Sequence, residues 1–198
     1  MSEEEGADDP YYAFKPALLG APWELWLRPE ALEWRVGYRS GRVPYDRIRR
    51  LRLSFRPITM ASYRFLTEIW SDANPRITIA STSWKSIMEQ ERQDAAYRAF
   101  VAELHRRIAA ARAHIRFQTG SPVVIYWLGA AICVAAGFAL TILTARALLA
   151  REWAAAALVG GFMGIFVWQI GTFFWRNQPG TYRPDALPAH VLPTPTNS

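Results

Sequence analysis

Apolar positions divide the chain into two textures. Pro122 to Ala145 and Trp153 to Trp175 are apolar stretches without a single charged residue. As helices, each extends about 35 Å at 1.5 Å rise per residue, enough for a hydrocarbon core of about 30 Å. The connection from Arg146 to Glu152 is too short to be a domain. The stretches therefore predict two transmembrane helices, 122–145 and 153–175, paired as a hairpin.

Ahead of the hairpin the period is two. Trp23-Glu-Leu-Trp-Leu-Arg28 is a first strand, and Leu32-Glu-Trp-Arg-Val36 a second. Arg39-Ser-Gly-Arg42 is expected to turn the chain into Val43-Pro44-Tyr45. In Ile48-Arg-Arg-Leu-Arg-Leu-Ser-Phe55, the residues Leu51, Leu53 and Phe55 share one face, and Arg50, Arg52 and Ser54 the other. Tyr63, Phe65, Thr67 and Ile69 likewise alternate in the next run, and Arg76-Ile-Thr-Ile-Ala-Ser-Thr82 is its hairpin partner after Ser71-Asp-Ala-Asn-Pro75. The period then changes. Ser86 to Arg116 contains no proline or glycine, and Ala96, Phe100, Leu104, Ile108, Ala111 and Ile115 recur at helical spacing, widened by Tyr97 and Val101. This predicts one long amphipathic helix, broken by Thr119-Gly-Ser-Pro122.

The fold class expected is α+β: a small bent antiparallel sheet capped by one long C-terminal helix over residues 22–118, followed by the hairpin. Residues 1–21, acidic and then punctuated by proline and glycine, are expected to be a disordered tail. Residues 176–198, with Pro179, Pro184, Pro188, Pro193 and Pro195, are expected to be a second one.

This element order resembles that of a pleckstrin-homology-like domain. The run Gly41-Arg-Val-Pro-Tyr-Asp-Arg-Ile48, followed directly by a strand, is similar to a passage in bacterial membrane proteins that carry such a domain beside paired membrane helices. The resemblance implies a binding or assembly module and supplies no catalytic residue.

Charge sharpens the picture. The chain carries a net +6. Residues 1–22 hold five acids against Lys15, whereas Trp23 to Arg116 holds 18 basic and 10 acidic residues. Almost all the bases are arginine, which with abundant Ala, Gly and Pro resembles the output of a GC-rich bacterial genome. Arg47, Arg49, Arg50, Arg52 and Arg56 form the best ligand-binding cluster, for lipid head groups or an acidic partner. The alternative for the same residues is a solvated strand face that guards an edge.

Arg106, Arg107, Arg112 and Arg116 precede the first span, Arg176 and Arg183 follow the second, and only Arg146 and Arg151 lie between. By the positive-inside rule this places both termini in the cytoplasm of a multi-pass protein of the bacterial inner membrane. The acidic start, Met1 to Asp9, lacks the features of a cleavable signal. Gly129, Cys133 and Gly137 on one span, with Gly160, Gly164 and Gly171 on the other, are the expected helix-packing positions.

Catalytic chemistry finds no foothold. His105 and His114 fall on opposite faces of the predicted helix, His190 lies in the tail, and all three are expected to be solvated. A single cysteine forms neither an intrachain disulfide nor a zinc site. No nucleophile elbow or phosphate loop is present. The expectation is a non-enzymatic protein without cofactor or metal. Its expected partners are membrane lipids and a protein, another membrane protein or a second copy among the options, but not nucleic acid. The alternative function is that of an accessory subunit in a larger transport or envelope-assembly complex.

Overall fold

The computed structural model describes residues 9–57, 63–72, 75–86, 89–111 and 115–194. The chain divides into two compact units: one made of the residues up to Gly120 together with those from Gly180 onward, the other of Ser121–Pro179.

The first unit opens with an antiparallel meander of β1 (Tyr11–Phe14), β2 (Trp23–Leu27), β3 (Ala31–Val36) and β4 (Arg39–Pro44). Two features differ from the expected pattern. Tyr11–Phe14 is a strand rather than tail, because Tyr12 and Phe14 are buried in the core while Tyr11 stays outside. The turn falls at Gly37-Tyr38 rather than at Arg39–Arg42, since Gly37 adopts the left-handed φ of +58° that a two-residue hairpin loop requires. Gly41 therefore sits inside β4, where the indole of its cross-strand partner Trp34 covers it. A Cβ there would approach that ring to 2.6 Å.

A 3-10 turn at Tyr45–Arg47 leads into the second sheet. Here β5 (Ile48–Pro57), β6 (Tyr63–Ser71) and β7 (Ile77–Ala80) pair antiparallel. A short hairpin of β8 (Thr82–Trp84) and β9 (Gln90–Arg92) comes before α1 (Asp94–Ala110). The helix is shorter than its apolar stripe suggested. Gln90–Arg92 is taken by β9, and after Ala110 the chain returns as β10 (Arg116–Thr119), parallel to β5. Of the predicted stripe, Tyr97, Phe100, Val101, Leu104 and Ile108 are buried, whereas Ala96 and Ala111 are exposed. Leu51, Leu53, Phe65, Ile69 and Ile79 form the facing sheet surface.

The second unit consists of α2 (Val123–Leu149) and α3 (Trp153–Arg176), joined by Ala150–Glu152. Both helices are long and apolar enough to cross a membrane. Helix α2 runs four residues past the uncharged stretch and has no buried residue, and α3 has only Ala156. The hydroxyls of Thr141, Thr144 and Thr172 donate to the carbonyls of Gly137, Leu140 and Trp168, one turn back in each case. These polar groups are thus satisfied within their own helices, as hydrocarbon demands. Of the glycines expected to pack, Gly129 lies under Phe174 and Gly160 near Thr144 of the neighbouring helix. A Cβ at Gly137, Gly164 or Gly171 would meet nothing within 4 Å. Cys133 is partly exposed and free.

After α3 the chain re-enters the first unit. Strand β11 (Gly180–Thr181) pairs antiparallel with β10, with Thr119 opposite Gly180. The second sheet thus has the order β11-β10-β5-β6-β7. Beyond β11, Val191 and Leu192 are fully buried in the core, Tyr182 and Leu187 pack against it, and Arg98 donates to the Pro193 carbonyl over 2.5 Å. The expected proline-rich disordered tail is therefore corrected over 180–194. Its prolines punctuate an irregular segment whose apolar side chains complete the domain.

Candidate functional site

Alternation along β5 is interrupted once. Ile48 opposes Ser71 while Arg50 opposes Trp70, so Arg49 is the extra residue of a β-bulge. The bulge separates the five candidate arginines. Arg49 turns to Asp72, whose Oδ2 accepts from its Nε over 2.6 Å, and this pairing holds the Asp72 carboxyl below its usual range. Arg47 is exposed in the preceding turn. Arg50, Arg52 and Arg56 resume the alternation and share the face opposite Leu51, Leu53 and Phe55.

Register then brings in arginines that are remote in sequence. Arg116 on β10 pairs with Arg50, Arg64 on β6 pairs with Arg56, and Arg76 leads into β7. The centre of this face is Trp70. The Arg50 guanidinium lies 3.9 Å from its ring centroid, that of Arg52 at 5.1 Å and that of Arg76 at 6.0 Å. Stacking on the indole face offsets part of the mutual repulsion, at roughly 0.5–1 kcal/mol for an exposed pair. Glu68, opposite Arg52 and buried, accepts from Arg76 over 3.1 Å and faces Arg52 at 3.8 Å. Arg52 also donates to Gln118 of β10. Burial pulls the Arg52 guanidinium below its ordinary value, with Glu68 opposing that shift. Arg64 is lowered as well, by burial first and then by the neighbouring charge of Arg56. Among the described residues, six guanidiniums thus share the face with one carboxylate, which is spoken for.

The arginines ahead of the first span have varied settings. Arg106 is exposed and paired with Glu103. Arg107 is structural: it bonds Glu103, approaches Asp9 and donates to the Leu27 carbonyl. Arg116 belongs to the sheet face, and Arg112 lies outside the described residues.

His105, expected to be solvated, is instead 1% exposed. Its Nδ1 lies 2.6 Å from the Val101 carbonyl and its Nε2 2.7 Å from the Tyr182 hydroxyl. A carbonyl only accepts, so Nδ1 carries the proton and Nε2 accepts from tyrosine. Burial pushes its pKa down to about 4. This is a structural neutral histidine, tied at both nitrogens. His190 lies in the short turn beside Val191, and His114 is outside the described residues. Among the described residues, no group of three or more His, Cys, Asp or Glu is placed to hold a metal ion.

Comparison with protein-family models, with curated proteins and with solved structures returns no match.

Proposed function

We propose that this chain is a non-enzymatic integral membrane protein. Its hairpin anchors a cytoplasmic pleckstrin-homology-like domain, and the arginine face of that domain binds the anionic membrane surface or an acidic protein partner. The observation that carries this reading is the imbalance of charge on one sheet face: among the described residues, Arg50, Arg52, Arg56, Arg64, Arg76 and Arg116 stand against Glu68 alone. Clustered arginine is well matched to phosphate and carboxylate, which it grips through paired donors. The exposed apolar side chains of α2 and α3 support the anchor, since a water-soluble protein rarely exposes so large a continuous apolar surface. A four-stranded meander, three further antiparallel strands and a helix support the pleckstrin-homology-like reading. A bacterial inner membrane with both termini inside fits the distribution of arginine about the spans.

The test uses a chain in which residues 121–179 are replaced by Asn-Gly, so that a three-residue loop, Gly120-Asn-Gly, joins the paired residues Thr119 and Gly180. This soluble form should bind vesicles containing anionic lipid, more weakly as salt rises, and Arg50→Glu with Arg116→Glu should abolish binding. No binding by the unaltered form rejects the membrane surface as ligand and leaves the protein partner.

A second reading, an accessory subunit of a multi-span complex, draws on Gly137, Gly164 and Gly171, which face no neighbour within 4 Å. Small residues of this kind let another helix approach closely. Affinity purification in mild detergent should then recover a multi-span protein in fixed ratio.

A further inference from the structure

The arginine face has one corner where charge is left without an answer. Arg56 and Arg64 are direct cross-strand partners, and like charges directly opposite destabilise a sheet. The segment between their strands, Ile58-Thr-Met-Ala-Ser62, holds no carboxylate. Among the described residues, no carboxylate comes within 4 Å of either guanidinium, and the only acid nearby, Glu68, is engaged by Arg76 and Arg52. Arg64 is half-buried, and its Nε is enclosed with no acceptor among the described residues. A buried charged donor without an acceptor is costly, so a fold that retains one marks a place where an acceptor arrives from outside.

The space for it is present. A cavity of about 340 Å³ is lined by Arg56, Arg64, Arg76, Thr78 and the Glu68 carboxylate that Arg76 and Arg52 already engage, with Trp23 and Phe14 on its apolar wall. That volume lies at the small end of ligand sites, the size of a head group rather than of a dinucleotide. With Glu68 engaged by Arg76 and Arg52, the charges of Arg56 and Arg64 are neutralised by a dianion, whereas a carboxylate would balance only one. The planar fork of each matches the oxygens of a phosphate.

We propose that this cavity binds a phosphate monoester, with Arg56 and Arg64 as its two anion ligands, Thr78 as a neutral donor and Trp23 covering the ester substituent. The proposal rests on reading the arginine face as a ligand surface, and it names the ligand class and the place on that face. The monoester could belong to a lipid head group or to a soluble metabolite. Both offer the same chemistry to the cavity.

The experiment uses the full chain in phosphatidylcholine nanodiscs at constant ionic strength. Glycerol 3-phosphate is titrated against chloride in one arm, and phosphatidic acid replaces part of the neutral lipid in the other, with the thermal midpoint and calorimetric affinity as readouts. Saturable stabilisation is expected in at least one arm, and which arm responds identifies the source. Arg56→Gln and Arg64→Gln should each weaken binding tenfold or more, whereas Arg39→Gln, at an exposed position of β4 that neither belongs to the arginine face nor lines the cavity, should bind as the unaltered chain does. Because Arg56 is exposed, its substitution keeps the test valid even where Arg64→Gln fails to fold. No response beyond chloride in either arm overturns the proposal, as does undiminished affinity in Arg56→Gln. The two readings separate cleanly. Glycerol 3-phosphate binding without any preference for anionic vesicles would reject the surface reading and keep the cavity. Vesicle binding indifferent to Arg56 and Arg64 would reject the cavity and keep the surface.

Discussion

The Tyr182 hydroxyl donates a hydrogen bond to Nε2 of His105 over 2.7 Å. One residue follows the apolar hairpin and the other precedes it, so the contact closes the domain across the insertion. The rings of His105, Tyr182 and Phe117 of β10 also lie within 5.5–5.7 Å of one another.

This contact sets a pH dependence. The folded state holds His105 neutral down to about pH 4, against an ordinary value of 6.5. The unfolded chain therefore binds more protons between those limits. Stability should be flat above pH 6.5, fall as pH drops from 6.5 towards 4, and gain no further loss from this group below that. The full effect is on the order of 3 kcal/mol. Glu103, lowered from 4.5 by Arg106, adds its own loss only below that value. Thermal melts from pH 6.5 to 4.5 should show a shallower slope in His105→Gln.

The segment after the hairpin should be needed for folding. Removing residues 182–194 deletes the Tyr182 bond and exposes the sites of Val191 and Leu192. Burial of each aliphatic side chain is worth about 1.5–3 kcal/mol. The fragment 23–116, which also lacks β1 and all of β10 but Arg116, should fail to melt cooperatively, whereas the linked form that joins Gly120 to Gly180 should do so. Calorimetry of the two forms decides this, and equal stability would mean that the returning segment contributes nothing.

Topology follows from strand pairing as well as from charge. Thr119 and Gly180 are neighbours in one sheet, so the two ends of the hairpin must lie on the same side of any membrane it crosses. Reporter fusions after Gly120 and after Thr194 should behave alike, and a reporter at Arg151 should behave oppositely. Opposite signals from the first two would break the β10–β11 pairing described above.

Helix α1 offers a contrast between faces. Phe100→Asp buries an unpaired charge and should unfold the domain. Arg98→Asp, which the helical pattern alone marks as mild, should also destabilise, because Arg98 holds the Pro193 carbonyl. The mild control is Ala102→Asp, at an exposed position, with an effect within about 0.5 kcal/mol. Urea titrations of the three variants test the order.

What the sequence made legible was the physics of single elements. The uncharged runs of α2 and α3, the alternation of Leu51, Leu53 and Phe55, and the stripe from Tyr97 to Ile108 each announce their burial locally. What stayed hidden depended on distant partners. Tyr12 and Phe14 look like loop residues until β2 pairs beside them. Proline at 184, 188 and 193 masked the partly buried Tyr182 and the buried Val191 and Leu192. His105 falls within the Val101-Leu104-Ile108 stripe, a signal that its polarity outweighed. Arg64, Arg76 and Arg116 join Arg50, Arg52 and Arg56 only through strand register, which no local pattern encodes, and the bulge that expels Arg49 from that face is equally silent.

Insertion of the hairpin between β10 and β11 also imposes an order on synthesis. The ribosome makes β10 and then both apolar helices before it can supply the strand and side chains that complete the sheet and core. At about 5–20 residues per second, the roughly 60 intervening residues take about 3–12 s. Throughout that interval the outer edge of β10 and the niche for Val191 and Leu192 stand open. Where the hairpin crosses a membrane, closure then depends on the second helix returning the chain to the side where the domain waits. A chain that fails to return strands its last segment on the far side and leaves the domain unfinished for proteases to find, so domain maturity itself becomes a readout of correct integration.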